Sequence, residues 1–266
     1  MSIEIKTVKN SRFTMEYLTF GEGAETLVII PGLSVQSVMG LGDLVADAYK
    51  SMTERFTIYM FDRIKELPEG YNVFDMAEDT AEAIKELGLS DIALFGASQG
   101  GMISMLIASE HPELVKNLVL GSTSACVEDD RYETVDKWVN LAKNGDAEAL
   151  YLSFGEALYT ADVYEQSKEL LIGAAKTVTK DELDRFIVLA SCMKGFNIKD
   201  RLSKITCPVL LIGSEDDNVL GGEATRTIEN GLINSSNLVT HMYDGYGHAA
   251  YDMAPDYKER MLNFLK

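Results

Sequence analysis

The chain has 266 residues, within the range of one α/β domain, and its 46% hydrophobic and 25% charged content is ordinary for a folded globular protein. A net charge of −18 with no basic stripe excludes nucleic-acid binding, which needs clustered Lys and Arg, and disfavours anionic membrane surfaces. Three widely separated cysteines, Cys126, Cys192 and Cys207, offer neither a disulfide frame nor metal-ligand spacing, so the expectation is a reducing, cytoplasmic setting without metal or cofactor.

Residues 1–10 alternate apolar and charged side chains and lack the apolar stretch of a signal peptide, and no apolar run reaches membrane-spanning length. Residues 12–20 alternate as an antiparallel strand does, with a partner expected at 3–6. Continuous apolar runs follow at 27–30, 56–61, 92–95, 118–120, 209–212 and 238–243, the pattern of strands buried on both faces of a parallel sheet. Residues 74–87 carry apolar side chains at helical spacing and stop at Gly88. Residues 100–109 are small and apolar nearly all round and predict a buried helix; 257–265 predict an amphipathic one. This alternation predicts a mostly parallel, doubly wound, eight-stranded α/β sheet. Between 122 and 202 only helical patterns occur (131–143, 147–159, 180–193), and the strand rhythm resumes at Cys207-Pro208-Val209. The expected organisation is a core of 1–121 and 203–266 with a helical cap inserted at 122–202.

The chemistry centres on Gly96-Ala97-Ser98-Gln99-Gly100-Gly101, between the run at 92–95 and the buried helix. A pentapeptide GxSxG is by itself only a glycine-rich turn with a serine. Placed between strand and helix, it holds the serine hydroxyl above the sheet edge on a turn so tight that the flanking positions must be glycine. Three histidines compete as its base. His111 lies at the far end of the helix Ser98 starts, roughly 20 Å away at about 1.5 Å per residue. His241 falls inside a strand. His248 follows that strand in Gly245-Tyr246-Gly247-His248, at the same C-terminal sheet edge as Ser98, and is the expected base. A histidine base needs a carboxylate to hold its tautomer, and Glu215, Asp216 and Asp217 all follow the run at 209–212. The oxyanion donors expected are the backbone N–H groups of Gln99 and of Leu33 in Pro31-Gly32-Leu33-Ser34.

Taken together, Ile30-Pro31-Gly32-Leu33, Phe61-Asp62-Arg63, the Ser98 hexapeptide, the run 208–213 with Asp216, and Gly247-His248 make the chain similar to the capped α/β-hydrolase superfamily along nearly its whole length. The resemblance implies a Ser98–Asp216–His248 triad, with Asp216, third after Gly213, at the position of the family's acid. It implies a small-molecule acyl substrate and spans carboxylesterases, lactonases, thioesterases, aminopeptidases, carbon–carbon hydrolases and perhydrolases. Two departures stand out: Pro31-Gly32 where relatives often carry His-Gly, and Ile64-Lys65-Glu66-Leu67 in place of a glycine-rich continuation after Arg63. A dehalogenase is disfavoured because Ser stands where that family uses Asp, and a dinucleotide enzyme because no GxGxxG follows the first parallel strand. A non-catalytic receptor or a cofactor-free lyase on the same fold remains the alternative. Trp138, Tyr151, Phe154, Tyr159, Phe186 and Met193 of the cap are the candidate pocket residues for an apolar, neutral acyl group of an ester, lactone or thioester.

Overall fold

In the computed structural model, which describes residues 3–266, eight strands form one sheet. Met1 and Ser2, the start of the stretch read above for a signal peptide, lie outside the described residues. In chain order the strands are β1 (Glu4–Lys9), β2 (Thr14–Phe20), β3 (Glu25–Ile30), β4 (Phe56–Phe61), β5 (Ile92–Ala97), β6 (Val115–Gly121), β7 (Val209–Ser214) and β8 (Leu238–Tyr243). Across the sheet they run β1-β2-β4-β3-β5-β6-β7-β8. β2 is antiparallel to both β1 and β4, and every other pair is parallel. All eight runs read from the sequence are strands, and the expected fold class stands.

Side chains alternate across a strand, so a strand buried on both faces feeds two cores. Val28, Ile30, Leu94, Leu118, Leu120 and Leu211 enter one apolar layer, while their neighbours Leu27, Ile29, Phe95, Val119, Leu210 and Ile212 enter the other. A short helix α1 (Gly42–Ala48) precedes β4, and α2 (Val73–Glu86) precedes β5. Asn72 caps α2, its side-chain oxygen accepting from the N–H groups of Phe74 and Asp75 while the Asp75 carboxylate accepts from the Asn72 N–H, and Gly88 ends the helix with φ +66°. α3 (Gln99–Glu110) is buried from Gln99 to Ser109, as its unbroken run of small and apolar residues requires.

Four helices lie between β6 and β7: α4 (Asp129–Lys143), α5 (Ala147–Leu158), α6 (Ala161–Ala175) and α7 (Lys180–Ser191). The chain enters and leaves this block through one paired neck. Val127 N–H donates to Phe196 C=O and Ile198 N–H to Ala125 C=O, both at 2.8 Å. α8 (Gly222–Gly231), α9 (Ala250–Met253) and α10 (Tyr257–Phe264) complete the fold, with Tyr257 and Met261 of α10 closing the second layer. α6 and α8 lack a readable sequence signal for a physical reason. α6 buries only Ala175, and α8 buries Gly222, Thr225 and Ile228, so neither has a wide apolar stripe.

The order β4-β3-β5 fixes where a ligand can bind. From β3 the chain goes to β4 on one side, then crosses back to β5 on the other. The loops leaving β3 and β5 therefore diverge and open a crevice at the C-terminal sheet edge. Leu33 follows β3 and Ser98 follows β5.

Candidate active site

Ser98 has φ +53° and ψ −123°, a backbone conformation costly for any residue with a Cβ. Its peptide groups are clamped from the end of β6: Ser98 N–H donates to Gly121 C=O at 2.8 Å, and Thr123 Oγ1 donates to Ser98 C=O at 2.6 Å. The tightness of the turn explains its glycines. A Cβ on Gly96 would overlap Ser104 Oγ and Gly100 C=O, and one on Gly100 would overlap Ile30 C=O. Gly100→Ala should lower stability by about 3 kcal/mol in urea unfolding. A loss under about 1 kcal/mol would mean the turn is packed less tightly than described.

His248, 1% exposed, stands beyond β8. Its Nδ1–H donates to Asp217 Oδ2 at 2.8 Å, the tautomer that in a neutral imidazole leaves Nε2 as the acceptor. Asp217 is itself 7% exposed, and its other oxygen accepts N–H bonds from Val219 at 2.8 Å and Leu220 at 2.9 Å. Burial pushes the Asp217 carboxyl up, but the charge and hydrogen bond of His248 and the two backbone donors outweigh it and hold the carboxyl below its usual range.

The sequence expectation of Asp216 as the partner of His248 is corrected by this geometry. Asp216 accepts instead from Ser214 Oγ at 2.7 Å, Gly245 N–H at 3.2 Å and Gly247 N–H at 3.0 Å. Burial raises its pKa, and these donors more than offset it, so the net shift is downward. Asp216 thus ties the end of β7 to the loop that delivers His248. The reason is local: Asp217 Oδ1 closes a tight turn onto the next two free N–H groups, and that turn aims its Oδ2 across the sheet edge.

Ser98 and His248 open into one narrow cavity, with Leu33, Val219 and Tyr251 also on its core side. Trp138, Phe154, Leu158 and Met193 close it from the helical block. Three of the six pocket residues expected from sequence are therefore in the wall. Phe186 is fully buried one layer behind, edge-on to Phe154 at 6.3 Å. Tyr151 is drawn off to the loop after β3, its hydroxyl donating to Gln36 Oε1 at 2.9 Å, and Tyr159 caps α5 outside the wall. Leu158, Val219 and Tyr251 were not singled out from sequence; Leu158 is recoverable as the i+4 neighbour of Phe154.

Gln99 N–H heads α3, where helical geometry leaves the first amides without intrahelical acceptors. The Gln99 side chain is turned away, Nε2 donating to Leu189 C=O at 2.6 Å. Leu33 belongs to the same cavity as Ser98. Among the described residues, no group of three or more His, Cys, Asp or Glu is placed to hold a metal ion, and no helix is long and apolar enough to cross a membrane.

The family profile described as alpha/beta hydrolase fold matches residues 26–255. The chain belongs to the α/β-hydrolase fold family. Among relatives, this α/β-hydrolase is 24% identical over 237 residues to a protein of Serratia proteamaculans named "Putative carbamate hydrolase RutD", with 86% of each chain covered. Among solved structures it is similar to MGS-M2, an alpha/beta hydrolase enzyme from a deep-sea metagenome library (TM-score 0.85, 22% identity, 98% of this chain and 97% of that one). It is also similar to the enol-lactonase from Burkholderia xenovorans LB400 (TM-score 0.82, 17% identity, 98% and 99%). At these identities the solved structures establish the fold that the α/β-hydrolase shares with them.

Proposed function

We propose that the chain is a serine hydrolase that cleaves a carboxylic ester, lactone or thioester of a small, mainly apolar substrate through an acyl-enzyme on Ser98. The observation that carries this reading is the buried Asp217–His248 pair at 2.8 Å, with His248 and Ser98 lining one cavity. Nε2 of His248 takes the proton of Ser98 Oγ as the oxygen attacks the substrate carbonyl. The backbone N–H groups of Gln99 and Leu33 receive the developing oxyanion, assisted by the positive end of α3. The imidazolium, stabilised by Asp217, then protonates the leaving group. Water, deprotonated by the same histidine, releases the acid.

The apolar wall formed by Leu33, Trp138, Phe154, Leu158 and Met193 supports an apolar acyl group. Residues 122–202 act as a cap over it, held to the core by Tyr151 on Gln36, by Leu189 C=O on Gln99 and by Ala249 N–H on Leu158 C=O at 3.0 Å. Cys126, Cys192 and Cys207 are free thiols, which suits action in a reducing cytoplasm. The carbamate in the name of the Serratia relative is a further acyl-type carbonyl that the same chemistry could attack.

A fluorophosphonate should label Ser98 and no other residue of the native protein, with labelling lost in Ser98→Ala. A screen of short and medium acyl esters, lactones, thioesters and carbamates should then find turnover. Labelling elsewhere sinks the mechanism; labelling of Ser98 without turnover of any class favours a receptor on this fold.

A further inference from the structure

Arg63 follows β4 and is 4% exposed, yet its charge is not paired. The neighbouring carboxylate of Asp62 is engaged elsewhere, by Ser37 Oγ at 2.6 Å, the Arg63 backbone N–H at 2.7 Å and Arg185 Nη2 at 3.2 Å. The Arg63 guanidinium bonds neutral acceptors instead. Its Nη2 donates to Pro31 C=O at 2.8 Å and, more weakly, to Gln99 Oε1 at 3.4 Å, while its buried Nε has no partner. Burial pulls this group down to about 10, which leaves it charged at neutral pH. A buried, unpaired cation with an unmade hydrogen bond costs a fold more than two bonds to neutral oxygens return.

The two acceptors belong to the two segments that would supply the oxyanion donors: Pro31 precedes Gly32-Leu33, and Gln99 heads α3. The first segment lies directly on Ser98, since a Cβ on Gly32 would stand 3.2 Å from Ser98 Cβ. Its Pro31 carbonyl is packed against Gly100, where any Cβ would overlap it, and is the same carbonyl that Arg63 holds. Peptide planarity passes the constraint along. Fixing Pro31 C=O fixes the plane of the Pro31–Gly32 peptide, one unit before the Leu33 N–H. We propose that Arg63 is a positioning residue that sets the spacing of the Leu33 and Gln99 N–H groups, by gripping both segments from one buried guanidinium. This role rests on the acyl-enzyme reading above. The cost of the unpaired charge is then offset by preorganised donors, whose work is done only when an oxyanion forms.

The probe is butylboronic acid. Ser98 Oγ bonds to its boron while the Oγ proton passes to His248, giving a tetrahedral anion that resembles the intermediate of ester cleavage. Its affinity therefore reads the oxyanion donors without turnover. Rates are expressed per site titrated to completion with fluorophosphonate, so protein lost to misfolding drops out. Arg63→Met should lower kcat per site by roughly tenfold to a hundredfold, short of the roughly 10²- to 10³-fold cost of losing a whole donor. KM should stay within about threefold, and boronate affinity should fall in step with kcat. Arg63→Lys keeps the charge and can reach one acceptor, so it should recover part of both losses. Unchanged kcat per site and boronate affinity in Arg63→Met, whatever its melting temperature, overturns the proposal and leaves Arg63 as a support of the fold alone. Should neither Arg63 variant fold, Gln99→Met takes their place: a parallel loss of kcat and boronate affinity supports the role, and no change in either overturns it. A parent protein that takes neither boronate nor fluorophosphonate at Ser98 defeats the acyl-enzyme reading itself, and the positioning role with it.

Discussion

If Ser98 is the nucleophile proposed above, replacing it with alanine should lower turnover of a competent ester by roughly 10⁴- to 10⁶-fold, because only binding and the proposed oxyanion donors would remain. Stability separates this from a folding defect. Alanine at 98 keeps a Cβ at φ +53°, so Ser98→Ala should unfold within about 1 kcal/mol of the parent. Ser98→Gly should be equally inactive yet more stable by about 1 kcal/mol, since glycine occupies that region without the Cβ penalty. Residual turnover within tenfold of the parent in both variants would remove Ser98 from the chemistry.

Asp217→Asn should reduce turnover by about 10⁴-fold with substrate binding nearly intact. An asparagine can present its amide N–H to Nδ1, which forces the proton onto Nε2 and leaves the imidazole unable to accept from Ser98. It also removes the charge that stabilises the imidazolium. Asp216→Asn is the matched control. Its amide oxygen can still accept from Gly247 N–H, so the loss should be under about tenfold and accompanied by a lower melting temperature. A severe defect in Asp216→Asn with Asp217→Asn near normal would return the acid to Asp216.

The contrast between these two aspartates marks where sequence reasoning carries and where it stops. Strands declare themselves through periodicity, so β3 to β8 were legible from apolar runs whose alternate residues enter opposite layers. The strained turn at Ser98 was legible because it admits only glycine at 96 and 100, and the place of His248 beyond the last strand because His111 and His241 lie on other elements. The acid had no such support. Glu215, Asp216 and Asp217 lie in a loop, where direction is set by individual hydrogen bonds that no residue pattern announces. The same holds for the cavity wall. Helical spacing brings Phe154 and Leu158 to it, but it does not reveal that Tyr151, one turn earlier, is taken up by Gln36.

The neck between Ala125–Val127 and Phe196–Ile198 has a consequence for how such molecules can diverge. To the sheet, the four intervening helices are a single closed loop whose two ends already sit side by side. Doubling the length of a flexible loop adds only about 0.6 kcal/mol to the entropy of closing it. The junction therefore constrains the spacing of the two ends far more than the length or sequence between them. Changes of length or sequence on the solvent side of these helices would leave the paired ends beside β6 and β7 in place. Ser98, Asp217 and His248, all anchored on the sheet side of that junction, would then meet a different wall and a different set of molecules without any change in their own geometry.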